Sequence, residues 1–231
     1  MSLFSRLIDV IAPRTCAVCG NRLMPDEECV CNQCLHDLPY TDYYKTPADN
    51  YLARLFWKQL PIDKAASLLF YHPHAEYANI IYDLKYHSMP GIGSEMGKLI
   101  AHRFQQYNFF DSIDAIVPVP LSKGRQRQRG YNQSNEIAKG IASIIGLPIL
   151  NNAVARRSFT TSQTHLRHSE RQQNVAEAFC PIGNHLLDGK HLLLIDDVIT
   201  TGATMIACGN ALCAANDDLK ISILSLAFTK D

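Results

Sequence analysis

The sequence predicts an α/β protein, a doubly wound and mostly parallel sheet preceded by a small cysteine-rich module. Three features carry that prediction. Short apolar runs without polar alternation, such as Leu192-Leu193-Leu194-Ile195, suit strands covered on both faces. Helical periods recur between those runs, the order of a parallel sheet with crossover helices. Five of the eight cysteines fall between residues 16 and 34, so the front of the chain follows a different rule from the rest.

Residues 2–12 place Leu3, Phe4, Leu7, Ile8 and Ile11 at helical spacing, interrupted by Arg6 and Asp9. The stretch is too short and too charged for a signal peptide or a membrane span, so a cytoplasmic protein is expected. The cysteines follow as Cys16-x-x-Cys19, eleven intervening residues, then Cys31-x-x-Cys34. Without a secretory signal such clustering points to a metal rather than to disulfides. Two knuckles supply four thiolates in a tetrahedron, the closed shell of structural Zn2+; a pair of redox dithiols is the competing reading. Spacing alone leaves open whether Cys29 replaces Cys31 or Cys34, and His36 reads as a surface histidine, with a ligand role as the alternative. Pro39, Tyr40, Tyr43, Tyr44, Pro47 and Tyr51 then make a packed linker. The expected division is 1–50 for the N-terminal helix, metal module and linker, and 51–231 for the α/β domain.

Within that domain the pattern predicts a strand at 65–70, a helix from about 75 to 84, a Gly/Pro break at 90–93 and a second helix to about 106. Further strands are expected at 113–119, 150–156, 191–195 and 221–227, with helices at 133–145 and 205–215. In 231 residues, 22 basic side chains balance 22 acidic ones, so any basic surface is local. A hydrophobic share of 47% is enough for an ordinary core.

The chemistry concentrates in three stretches. Residues 192–204 read Leu-Leu-Leu-Ile-Asp-Asp-Val-Ile-Thr-Thr-Gly-Ala-Thr. A buried strand ends there in Asp196 and Asp197, and a small hydroxyl-rich turn, Thr200, Thr201, Gly202, Ala203 and Thr204, opens a helix. The free N–H groups of such a turn suit a phosphate. The acids suit sugar hydroxyls beside it, or a metal bridging the ligand's oxygens. In the second stretch, a strand ending Val117-Pro118-Val119-Pro120 runs into Ser122-Lys123-Gly124-Arg125-Gln126-Arg127-Gln128-Arg129, a basic loop placed for another phosphate. The third, residues 156–175, is polar and hydroxyl-rich without apolar period, the length and composition of a functional loop.

The Asp-Asp turn resembles the phosphoribosyl pyrophosphate (PRPP) motif of type I phosphoribosyltransferases. That likeness implies that Asp196 and Asp197 lie along the ribose hydroxyls and that residues 200–204 cradle the 5-phosphate. Four features in order are similar to the ComF/GntX family: the four-cysteine module, Val-Pro-Val-Pro at 117–120 followed by Arg-Gly-Tyr-Asn-Gln at 129–133, the Gln163, Leu166, Arg171 and Asn174 pattern, and the Asp-Asp turn. The resemblance implies a type I phosphoribosyltransferase-like fold, Mg2+ carried with PRPP and a structural Zn2+. It further implies a closing loop over 156–175 and a link to DNA uptake in natural transformation, with competence-machinery proteins as partners. Pentosyl transfer is the expected activity: Ser122, Lys123 and Gly124 bind the pyrophosphate, and Arg125 and Arg127, with Lys123 and Arg129, stabilise it as it leaves. A single-stranded DNA-binding module, stacking bases on Tyr40, Tyr43, Tyr44 and Tyr131, and a regulatory PRPP sensor are the alternatives.

Overall fold

The structure is a computed structural model that describes residues 13–157, 178–183 and 186–230. The amphipathic stretch 2–12 and most of the polar segment 156–175 lie outside the described residues. A short helix α1 (Asn32–Asp37) closes the cysteine module, and α2 (Tyr51–Arg54) leads into β1 (Ile62–Phe70). Then come α3 (Asn79–Tyr86), α4 (Pro90–Phe104), β2 (Ala115–Pro118), α5 (Lys123–Arg129) and α6 (Gln133–Ile145). The remainder is β3 (Val154–Arg156), β4 (Phe179–Pro181), β5 (His191–Ile199), α7 (Ala203–Cys213) and β6 (Lys220–Phe228).

Four strands form the main sheet in the order β1-β6-β5-β2, and every neighbouring pair is parallel. Alternate residues of each strand feed two cores, as the period of 2 requires. Leu193, Ile195, Ile116 and Leu224 pack on one face with Ile100 of α4 and Ile137 and Ile141 of α6. Leu192, Leu194, Val117 and Ile223 pack on the other with Cys208 and Leu212 of α7. Helices therefore cover both faces, which is the doubly wound arrangement the apolar runs predict. Glycines set how closely α4 meets α6: a Cβ on Gly97 would collide with the carbonyl oxygen of Ile137, and one on Gly140 with that of Ser94. That close crossing seats α6, whose first turn reaches the end of β5.

The linker is packed as expected. Tyr40 bridges to Leu69 at the edge of β1, Tyr44 stacks on Phe104 at 4.5 Å, and the Arg103 guanidinium lies 3.6 Å over the Tyr40 ring.

Four details differ from the sequence pattern. Pro90 does not break a helix but starts α4, because an N-terminal proline removes only an N–H that has no intrahelical partner. The basic stretch is no loop: Lys, Arg and Gln are good helix formers, and Ser122 caps the start while Gly130, at φ 79°, ends it. Strand β5 runs on through both acids to Ile199, since Asp196 pairs with Ser225 and Val198 with Ala227. The strand expected at 150–156 touches the main sheet only where Ile149 bridges Ile116. Beyond that point β3 pairs antiparallel with β4 in a separate two-stranded sheet.

Candidate functional site

Cys16, Cys19, Cys31 and Cys34 form a cluster in which all four Sγ atoms lie within 4.8 Å of one another. The Cys19 and Cys31 sulfurs are 3.9 Å apart, close to the roughly 3.8 Å edge of a tetrahedron with metal–sulfur bonds of about 2.3 Å. N–H groups aim at these sulfurs: Val18 and Cys31 donate to Cys16, and Cys34 donates to Cys31. Burial, the largest influence on Cys16, raises its pKa, but donors from Cys19, Cys31 and Val18 together draw it down to about 7. Glu27 braces the knuckles by accepting from the N–H groups of Met24 and Asn32, each at 2.7 Å. Cys29 stands outside the cluster, its thiol pushed up to about 12 by burial and then by Glu95, Cys16 and Glu28. His36 is exposed and turns to Asp37 at 2.8 Å. Of the pairings that spacing leaves open, the fold gathers the four cysteines of the two knuckles.

A second site lies where β2 and β5 end side by side, with Pro118 opposite Ile195 and the Val119 N–H donating to the Ile195 carbonyl. The chain leaving β2 passes into α6 on one face, whereas the chain leaving β5 passes into α7 on the other and returns as β6. Opposite departures open a crevice between the two strand ends, the topological switch point at which parallel sheets take ligands.

Three groups line that crevice. The Thr200–Thr204 turn surrounds about 40 Å3 of open space together with Asp196 and Met205. Gly202 begins α7 at φ 77° and offers no side-chain cap; the Ala203 N–H meets Thr201 Oγ1 at 3.5 Å, and the next first-turn N–H groups are left directed outward. A Cβ at that position would also meet the Phe56 ring at 2.9 Å. The acids form the second group, and they use opposite faces of β5. Asp196 Oδ1 accepts from the Ser134 hydroxyl at 3.0 Å and from the Asp197 N–H at 2.9 Å. Burial first, and the Asp197 charge second, raise its pKa to about 7. Asp197 pairs instead with Lys85 of α3, Nζ to Oδ1 3.1 Å.

The basic helix α5 is the third group, and its cations divide. Arg129 is committed to the scaffold: it donates to Gln133 Oε1 at 2.8 Å and lies 5.5 Å from the centre of the Tyr86 ring. Arg125, one turn earlier on the same face, is close enough to Arg156 that its charge, after burial, lowers the Arg156 pKa. Asp196 acts on Arg156 in the opposite sense, so Arg125, Arg156 and Asp196 share one neighbourhood. Lys123 and Arg127 occupy the opposite face of the helix and are exposed. Ser122 serves as the cap, accepting from the Arg125 N–H at 3.4 Å, and Gly124 is exposed.

Lys85 and Ser134 carry no signal in the sequence. Lys85 is one cation in an amphipathic helix, more than a hundred residues from Asp197, and Ser134 sits one residue past the basic motif. Tyr40, Tyr43 and Tyr44 pack against the core, and Tyr131 donates its hydroxyl to the Leu84 carbonyl at 2.6 Å. These rings are therefore not the free stacking surface expected of a nucleic-acid module. The exposed rings beside the crevice are Tyr82 and Tyr86, 4.9 Å apart. A larger hollow, about 920 Å3, lies away from this chemistry, between the cysteine module and α3 and α4.

A parallel α/β sheet with an acid pair and an open helix start at its switch point is a phosphoribosyltransferase-like fold, here with a four-cysteine module in front. Over 93 residues, 40% of this chain and 41% of the relative, it is 39% identical to Competence protein F of Haemophilus influenzae. It is 27% identical to the DNA utilization protein YhgH of Escherichia coli K12 over 82% of this chain and 80% of that one. Identity to Competence protein ComFC of Bacillus subtilis is 32% over 41% of this chain and 36% of that one. The names these relatives carry are those of competence and DNA-utilization proteins, and two of the matches span less than half of the relative's length. No family model matches it. Among solved structures it is similar to glutamine PRPP amidotransferase from B. subtilis, at 18% identity and a TM-score of 0.41 over 61% of this chain and 30% of that one. No helix among the described residues is long and apolar enough to cross a membrane.

Proposed function

We propose that this protein binds Mg-PRPP in the crevice between β2 and β5 and transfers ribose 5-phosphate to an acceptor with release of pyrophosphate, as a cytoplasmic factor in DNA uptake. The observation that carries this reading is the convergence of two anion-suited segments on either side of an acid pair at the switch point. The turn at 200–204 would take the 5-phosphate on its free N–H groups. Each acid has one oxygen engaged, and among the described residues the other oxygen receives no hydrogen bond, so the pair can accept from two neighbouring hydroxyls. Arg125, on the crevice side of α5, would take the pyrophosphate.

In transfer, the bond from C1 to the pyrophosphate oxygen breaks and its electron pair leaves with pyrophosphate. A lone pair of the acceptor forms the new bond to C1, and the acceptor gives up a proton. Asp196, held near 7 by burial and Asp197, is a carboxyl able to hold a proton at neutral pH. Magnesium, when bound, offsets charge on the leaving pyrophosphate. Carried with PRPP, it would be held by the ligand's own diphosphate oxygens, with the unengaged oxygens of Asp196 and Asp197 available beside it. The cysteine cluster would hold Zn2+ in a closed shell with a structural role.

Calorimetry with PRPP, with and without Mg2+, tests the binding step. Pyrophosphate release on adding candidate acceptors tests transfer. Absence of binding at millimolar PRPP would remove the proposal, and binding without release under any acceptor would favour a PRPP sensor. One observation supports a second reading, single-stranded DNA binding: Tyr82 and Tyr86, 54% and 57% exposed, form a ledge beside Arg129. Stacking rings next to cations suit a single strand, and oligonucleotide titration with Tyr86→Ala would measure their contribution.

A further inference from the structure

Resting on the sugar-phosphate reading above, we infer that Lys85 is a positioning residue of the crevice, holding one oxygen of Asp197 so that the other faces the ligand's hydroxyl. Three consecutive residues in the last turn of α3 each engage the site. The Leu84 carbonyl accepts from the Tyr131 hydroxyl at 2.6 Å. Lys85 Nζ meets Asp197 Oδ1 at 3.1 Å. The Tyr86 ring lies under the Arg129 guanidinium at 5.5 Å. Tyr131 and Arg129 belong to the segment that follows β2, and Asp197 belongs to the end of β5. One helical turn thus fastens both sides of the crevice, and Lys85 is the member that touches an acid of the ligand motif.

This ion pair differs from an ordinary surface bridge. Its side chains are only 20% and 11% exposed, so water screens it little and its geometry is held by packing on both sides; exposed pairs contribute little. Asp196 has a separate support, the Ser134 hydroxyl and the Asp197 N–H. The two acids are therefore oriented independently, Asp196 from α6 and Asp197 from α3. A carboxylate that can rotate loses that freedom when the ligand arrives, whereas a clamped one has lost it already and binds more tightly. Lys85 thus acts on hydroxyl recognition and leaves the diphosphate to α5.

Three probes separate these roles: PRPP, ribose 5-phosphate and inorganic pyrophosphate, each titrated by calorimetry with Mg2+ present. Lys85→Met keeps the methylene stem and removes the ammonium. It should weaken PRPP and ribose 5-phosphate by on the order of tenfold, as expected for loss of one charge-assisted hydrogen bond, and leave pyrophosphate unchanged. Lys85→Arg should recover most of the sugar affinity. Equal weakening of pyrophosphate would overturn the inference by making Lys85 a direct diphosphate ligand, and unchanged binding of all three would overturn it outright. Thermal melting reports whether each variant folds; if Lys85→Met melts early, Lys85→Gln takes the same three titrations with the same outcomes. A wild type that binds pyrophosphate but neither sugar removes the sugar reading itself, and this inference with it.

Discussion

The cysteine module and the β2/β5 crevice are both places where polar ligands can be held, but they are built by opposite strategies. All four sulfurs of the module come from nineteen consecutive residues, 16–34, so local turns bring the donors together. The crevice draws on α3, α5, α6 and the end of β5, whose positions depend on two completed cores. A site of the first kind depends on its ligand for its fold. One of the second kind takes its shape from the sheet and leaves polar side chains free for recognition.

Breaking the module should have the largest effect. Few apolar side chains from 13–38 are buried, among them Leu23, Val30 and Leu38, and structural zinc contributes roughly 10–16 kcal/mol of apparent binding energy in comparable small sites. Cys19→Ser is expected to lose one equivalent of zinc and the ordered structure of the module, while the melting transition of the sheet persists. Metal analysis of the purified variant, followed by hydrogen exchange across residues 13–38, checks both parts. Full metal content with unchanged protection would show that the cluster does not organise the module.

The crevice should respond in the opposite sense, because one of its acids is buried against a like charge. Asp196 titrates near 7 in the folded chain against about 3.9 when unfolded. Between those values the folded chain binds the extra proton, so this group's contribution falls as pH rises from about 4 to 7 and is constant above. Asp196→Asn should therefore be more stable than wild type at pH 7.5, on the order of 2 kcal/mol, with the gap closing near pH 4. Its PRPP affinity should fall at the same time. Urea unfolding at several pH values would expose the trend, and a gap independent of pH would argue against burial as the cause.

Legibility in the sequence followed the same division. The unbroken apolar runs give a parallel strand at Leu192–Ile195, which the structure extends through both acids to Ile199 before the glycine turn. The cysteine pairs are legible because their ligand geometry is local. What stays hidden depends on tertiary approach. Lys85 reaches Asp197 only after α3 packs on the sheet, and Ser134 reaches Asp196 only after Gly97 and Gly140 let α4 and α6 close together. The helix at 123–129 lacks an apolar stripe, so periodicity misses it and only its caps and side-chain propensities record it. Cys29 stands outside the four-cysteine cluster and is buried near Glu95 and Glu28, an environment that its spacing does not reveal.

The smallest effects on stability are expected on α5, and they sharpen the contrast between scaffold and recognition within one helix. Arg129 is tied to Gln133 and Tyr86, Arg125 faces Arg156, and Arg127 projects from the opposite side into solvent. Arg129→Ala should lower stability by about 1 kcal/mol through removal of the hydrogen bond and the ring interaction, whereas Arg125→Ala and Arg127→Ala should change it by less than about 0.5 kcal/mol. Binding should sort them differently. Arg125→Ala is expected to weaken PRPP and pyrophosphate most, since its charge already reaches the acid neighbourhood. Arg127→Ala should leave PRPP nearly unchanged but flatten the salt dependence of any single-strand binding, by about 0.7 in slope for each phosphate no longer neutralised. Salt titrations of an oligonucleotide with and without saturating PRPP measure both quantities in one series. If Arg127→Ala instead abolished PRPP binding and Arg125→Ala did not, the crevice side of α5 would be the wrong face, and pyrophosphate would have to be sought across the helix from Arg129.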